Sequence, residues 1–307
     1  MRQKNPTNTA ASVHQRIINL ARVQNSEANL LFTRYGLERF LYRLSQSPHA
    51  DSFVLKGAML FFVWTGTASR PTRDLALLAH FPPDAGEIRR VFHDICLTKV
   101  DDDGLRFETP AMEIEATQGL RLFGGFRVNI PASLGKVRLQ IRIDLGFGDV
   151  VTPVPKRITY PTLLDLPAPR LAAYHMETVI AEKTEAIVKL GATNTRTKDY
   201  FDLLALSRNF PFKGSNPVSS LAATFHARNT PIPMDDPPGL ADDFATDGAS
   251  STRWHSFLRR NSLADEATWP EALTAVRTFV LPPLRAVGQA KEFKHEWPIG
   301  GPWRSLK

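Results

Sequence analysis

The chain has 307 residues, 43% of them hydrophobic, a single cysteine and a formal net charge of +7. That length allows two domains or one large one with a real core. No apolar run reaches the roughly 18 residues of a membrane span, the start MRQKNPTNTAAS has no apolar signal region, and one cysteine makes no intrachain disulfide, so no transmembrane helix is expected and a cytoplasmic protein is. The positive balance suits a polyanion such as RNA or nucleotide phosphates, with simple solubility charge as the plain alternative.

Residues 9–24 and 27–46 predict two amphipathic helices; Leu30, Leu31, Tyr35, Leu37, Phe40 and Leu41 recur near helical spacing in the second. Ser52–Leu55 predicts a short apolar strand, Lys56-Gly57-Ala58 ends it, and Met59–Trp64 continues as a helix. A strand running through glycine into a helix points backbone N–H groups at an anion above the strand, and Lys56 adds a point charge. Taken alone, most such turns bind nothing. Arg73–Ala79 predicts the next strand, with Asp74, Ala76 and Leu78 on one face. Aspartates at i and i+2 of a strand stand about 7 Å apart on one face and hold divalent cations in polymerase-type sites. Here Asp74 is present and Ala76 stands where the second carboxylate is expected.

Asp84–Leu97 predicts a helix capped by Asp84, with Cys96 as a buried structural thiol. Asp101-Asp102-Asp103-Gly104 reads as a solvated turn. Alternating strands follow: one through Met112, Ile114 and Ala116, then Leu120–Phe123 and Phe126–Ile130 around a Gly124-Gly125 turn. Val137–Phe147 has the cleanest period of two, and Asp144 closes its polar row. Asp144 is the natural third carboxylate to meet Asp74 from a neighbouring strand, with Glu113 and Glu115 in reserve. An ordinary ion pair between Arg142 and Asp144 is the competing reading.

Five prolines between Thr152 and Arg170 argue against a continuing sheet and place a domain boundary near residue 160. Beyond it helices are expected. Glu177–Leu190 ends at Gly191 and carries Lys183 inside its apolar stripe, facing either an anionic ligand or, by snorkelling, solvent. In Thr195–Arg208, Asp199 and Asp202 share a face. Asp202 needs a partner, for which Arg196, Lys183 and a substrate hydroxyl compete with a purely structural pair. Leu263–Ala286 predicts a late helix, and the tail 293–307 is expected to pack back to cover Trp297 and Trp303.

With LKGAMLF, RPTRDLALL, IDLGFGDVVTP, YPTLLDLPAPRL, ETVIAEKTEAIVKLG and RTKDYFDLLALSR in that order, the chain resembles the AbiEii-type nucleotidyltransferase toxins, including the MenT-type toxins of type IV toxin–antitoxin and abortive-infection systems. Further segments, TFHARNTPIP, WHSFLRR and WPIGGPW, extend the likeness over nearly the whole chain. The resemblance implies an α+β architecture. A polymerase-β-like nucleotidyltransferase domain with a mixed sheet (1–160) would precede a helical C-terminal domain (161–307). It also implies transfer of a nucleotide from an NTP, dependent on Mg²⁺ or Mn²⁺, to the 3′ end of tRNA or another RNA, and a separately encoded antitoxin. By position, Lys56, Gly57 and Ala58 match the phosphate-binding motif, Asp74 the first metal carboxylate, Asp144 the third, and Lys183 and Asp202 the lysine and aspartate of the helical domain. Arg73, Arg196 and Asp199 complete the candidate nucleotide-binding set.

Asp74-Leu75-Ala76 departs from the family's Asp-Leu-Asp. Either an alanine was introduced so that a toxic protein can be produced, or the site is natively degenerate; the intact remaining motifs favour the first. Two other functions stay open: an inert nucleotide-binding or interaction protein, and a transferase that modifies a protein hydroxyl.

Overall fold

A computed structural model describes residues 8–66, 69–117, 124–264 and 267–306; the expected strand Leu120–Phe123 lies outside them. The chain divides into two compact units, Met1–Gly148 with Lys156–Ala173, and Asp149–Pro155 with Tyr174–Lys307.

The first unit opens with α1 (Thr9–Val23), capped by the Asn8 side chain, and α2 (Ala28–Gln46). Then come β1 (Phe53–Lys56), α3 (Leu60–Thr65), β2 (Asp74–Ala79) and α4 (Ala85–Leu97). Asp84 caps α4, its carboxylate accepting from the Glu87 N–H at 2.8 Å. Six strands follow: β3 (Leu105–Phe107), β4 (Glu113–Thr117), β5 (Gly125–Leu134), β6 (Val137–Phe147), β7 (Lys156–Thr159) and β8 (Arg170–Ala173). They form one mixed sheet in the order β3-β5-β6-β2-β1-β8-β7, with β4 also on β5. The pairs β2–β6 and β1–β8 are parallel.

Alternation decides which face is apolar. Leu75 and Leu77 of β2 and Leu139, Ile141, Ile143 and Leu145 of β6 are buried, while Arg138, Gln140 and Arg142 point the other way and are exposed. α2 and α4 cover the apolar face. Gly36 of α2 approaches so closely that a Cβ there would lie 2.5 Å from Ile141 Cδ1. Phe40 of α2 stacks on Phe92 of α4 at 5.5 Å, and Phe92 meets Phe53 of β1 edge-on at 6.0 Å. Each such large apolar side chain contributes roughly 1.5–3 kcal/mol by burial. Cys96 is buried on α4, and burial pushes its thiol up to about 12.

Two sequence expectations are corrected. The proline-rich segment does continue the sheet, because its prolines flank β7 and β8 instead of sitting inside them. The acidic turn is not wholly solvated: Asp103 is 3% exposed and takes both guanidinium nitrogens of Arg43, at 2.7 and 2.9 Å.

The second unit is mainly helical: α5 (Met176–Leu190), α6 (Thr197–Asn209), β9 (Phe212–Lys213), α7 (Ser215–Ala227), α8 (Asp242–Thr246), α9 (Gly248–Arg260), α10 (Trp269–Gly288), β10 (His295–Trp297) and β11 (Arg304–Ser305). α10 starts later than its apolar pattern suggests, because Thr268 and Glu271 form a reciprocal capping box there. The tail strand β10 pairs with both β9 and β11. Trp297 is buried and donates from Nε1 to the Ser207 carbonyl at 2.7 Å. Among the described residues no helix is long and apolar enough to cross a membrane.

Candidate functional site

The candidate residues fall into two groups, one in each unit. In the first, the pairing registers turn a period-of-two pattern into rows across the sheet. Lys56 on β1 pairs with Ala76 on β2, Ala76 with Asp144 on β6, Asp144 with Arg127 on β5, and Arg127 with Glu115 on β4. One pleat along, Asp74 pairs with Arg142, Arg142 with Asn129, and Asn129 with Glu113. Paired residues present their side chains to the same face. The polar face therefore carries Lys56, Asp74, Ala76 and Asp144 together, with Glu113 and Glu115 at its exposed far edge. Lys56 is buried, at 4% exposure.

The turn after β1 completes this group. Gly57 has φ +77°, in the left-handed region that favours glycine, and a Cβ there would lie 3.1 Å from the Ala76 Cβ. Gly57–Met59, including Ala58, forms a 3₁₀ turn before α3. Arg73 is not part of the face: it precedes β2, and its guanidinium lies 3.8 Å from Glu27 with both side chains well exposed.

Asp74 and Asp144 are both engaged. Arg127 clasps Asp144 with two donors, at 2.8 and 3.2 Å. This hydrogen bond raises the Arg127 guanidinium above its usual range. Arg142 reaches Asp74, at 3.3 Å, and not its own strand neighbour Asp144. The Arg142–Asp144 pair expected from sequence as the competing reading is thus replaced by two cross-strand pairs. Arg127 is the site residue that sequence reasoning misses. Its signal is present, since Arg127 and Asn129 alternate with Val128 and Ile130.

Nucleotidyltransferases generally use an NTP and a divalent metal, which needs several carboxylates free on one face. Among the described residues no group of three His, Cys, Asp or Glu is placed to hold a metal ion. With a methyl at position 76 and an arginine on each remaining aspartate, the residues as they stand do not fit such an ion.

The second group is a buried charge cluster. Lys183 of α5 sits between two aspartates of α6, its Nζ 2.8 Å from Asp199 Oδ1 and 2.7 Å from Asp202 Oδ2. Arg196 holds the other oxygen of Asp199 at 2.5 Å. Asp199 and Asp202 are almost wholly buried. Burial alone would push the Asp199 carboxyl up; Lys183 and Arg196 overcome this and hold it well below the ordinary carboxylate range. Lys183 is therefore the partner Asp202 requires, and Arg196 serves Asp199.

The sequence model described as nucleotidyl transferase AbiEii toxin, Type IV TA system, matches residues 39–277, well over half of the chain. No curated protein matches. Among solved structures, MenT4, a nucleotidyltransferase toxin of Mycobacterium tuberculosis, is similar with a TM-score of 0.51 at 14% identity, over 91% of this chain and 98% of that one. JHP933 from Helicobacter pylori is similar with a TM-score of 0.48 at 14% identity, over 82% of this chain and 90% of that one. At such identity the likeness to MenT4 speaks to fold, and it agrees with an α+β nucleotidyltransferase architecture with a mixed sheet. The chain belongs to the AbiEii family of nucleotidyltransferase toxins of type IV toxin–antitoxin systems.

Proposed function

We propose that this chain is a toxin-type nucleotidyltransferase that adds nucleotides from an NTP to the 3′ end of tRNA, blocking translation, and that Ala76 leaves it impaired. The observation that carries the reading is the position of Ala76. It lies in register between Lys56 and Asp144, one pleat from Asp74, on the polar face of the sheet. A carboxylate at that position would join Asp74 and Asp144 beside a buried lysine and a glycine turn. Such a set suits Mg²⁺ or Mn²⁺ and the phosphates of an NTP. The net charge of +7 suits an RNA acceptor. Membership of a toxin family favours a cytoplasmic protein neutralised by a separately encoded antitoxin.

Within the chain as it stands, Lys56 supplies positive charge at the turn, Arg127 fixes Asp144, and Lys183 is held rigidly by Asp199 and Asp202. The test is to incubate the Ala76→Asp variant with labelled NTPs, Mg²⁺ and total tRNA. Label at the RNA 3′ end is the expected result. No transfer despite intact NTP binding would remove the reading, and label recovered in protein would move it to a protein hydroxyl acceptor.

A further inference from the structure

The second unit contains an open groove of about 640 Å³ between the start of α6 and the length of α9. Four cations line it: Arg196 just before α6, Lys198 in its first turn, and Arg253 and Arg260 from α9. No carboxylate is among its lining residues. Two of the arginines are braced from behind: Arg196 by Asp199, and Arg253 by Ser250 at 2.6 Å and Asp247 at 3.4 Å. Among the described residues Arg260, on the exposed last turn of α9, forms no ion pair. Thr195, Thr252 and Ser256 also line it, the Thr252 hydroxyl donating to the Gly248 carbonyl at 2.9 Å. Phe257 forms part of the wall, and it is itself fixed against Phe201 at 5.5 Å. The N-cap residue of α6 is Arg196, and no side chain caps that helix, so its positive end also faces this region.

We infer that this groove binds the phosphodiester backbone of a single-stranded RNA segment, one base of which stacks on Phe257. This rests on the RNA reading above and adds where the RNA is held. A groove of spread cations and hydroxyls with one aromatic ring is the arrangement that tracks a backbone and tolerates any base. A single triphosphate, by contrast, is held by donors converging on one point. The groove is also wired to the candidate site: Arg196 on its wall shares Asp199 with Lys183, so a phosphate drawn to Arg196 lies one ion pair away from Lys183.

The test is direct binding, which needs no catalysis. Labelled tRNA and a short single-stranded oligoribonucleotide are titrated with the full chain and with the Lys198→Glu/Arg260→Glu variant, at several salt concentrations. For every phosphate no longer neutralised, the slope of log K against log salt falls in magnitude by about 0.7–0.9. The double reversal is expected to lower the slope by about 1.5 and weaken binding on the order of tenfold or more, while binding of free ATP is unchanged. Arg260→Gln, a mild change on an exposed turn, is expected to give about half the slope change and guards against misfolding of the double variant. Affinity and slope equal to the parent's in both variants would overturn the proposal. Loss of ATP binding in step with RNA binding would also overturn it, because the groove would then be a nucleotide-phosphate site. If the Ala76→Asp chain transfers no label while the reversal still abolishes RNA binding, the transferase reading fails and the groove assignment stands.

Discussion

Ala76 is the cross-strand partner of Asp144 in the parallel pairing of β2 with β6. The two Cα positions face each other in register, and the alanine methyl occupies the spot on the sheet from which a carboxylate would meet that of Asp144. Lys56 flanks the same spot from β1. On this face position 76 carries a methyl, and Arg127 and Arg142 hold the neighbouring Asp144 and Asp74.

The buried cluster on α5 and α6 gives a stability prediction. Lys183→Met leaves Asp202 and Asp199 facing each other without the cation between them. Breaking a buried pair in this way typically costs about 3–5 kcal/mol, read as a lower urea midpoint. Adding Asp202→Asn is expected to recover a large part of the loss, since Arg196 continues to hold Asp199. An unchanged midpoint for Lys183→Met would show that the cluster contributes nothing to folding.

The same cluster sets a pH dependence. Despite burial, Lys183 and Arg196 depress the Asp199 carboxyl below its ordinary value. A depressed acid contributes stability that is complete above its unfolded value, about 3.9, and is lost as pH falls through the folded one. Its share should therefore be constant above about pH 5 and decline toward more acid conditions. Asp199→Asn is expected to lower stability at neutral pH and to flatten the acid limb of a stability-against-pH curve. An acid limb as steep as the parent's would contradict this.

Gly57 offers a local test. Its φ of +77° and the 3.1 Å approach of a built Cβ to Ala76 both oppose a side chain. Gly57→Ala is expected to cost about 1–2 kcal/mol, measurable by thermal or urea unfolding. A neutral effect would mean that the turn readily adopts another backbone conformation.

Much of this was legible in the sequence. β6 spans the residues its alternation predicts, Val137–Phe147, because one face is core and the other polar over its whole length. Asp84 and Gly191 mark helix ends, as their capping chemistry requires. What the sequence concealed was pairing. Nothing in the order of residues places Arg127 on Asp144 or Arg142 on Asp74, because both pairs depend on which strands become neighbours. Asp103 looked solvated because its burial depends on Arg43, sixty positions earlier in the chain. The strands β7 and β8 were hidden by prolines that in fact lie just outside them. The Lys183 stripe position did signal a partner requirement, but not that two aspartates would meet it at once.

The role of position 76 is decided by the rate of nucleotide transfer to tRNA by three chains that differ only there: the parent, Ala76→Asp and Ala76→Asn. The asparagine variant matches aspartate in size and lacks its charge. Ala76→Asp is expected to exceed the parent by on the order of 10²-fold or more in the presence of Mg²⁺, with Ala76→Asn remaining near the parent. Equal rates for the aspartate and asparagine variants, or no gain over the parent, would contradict it.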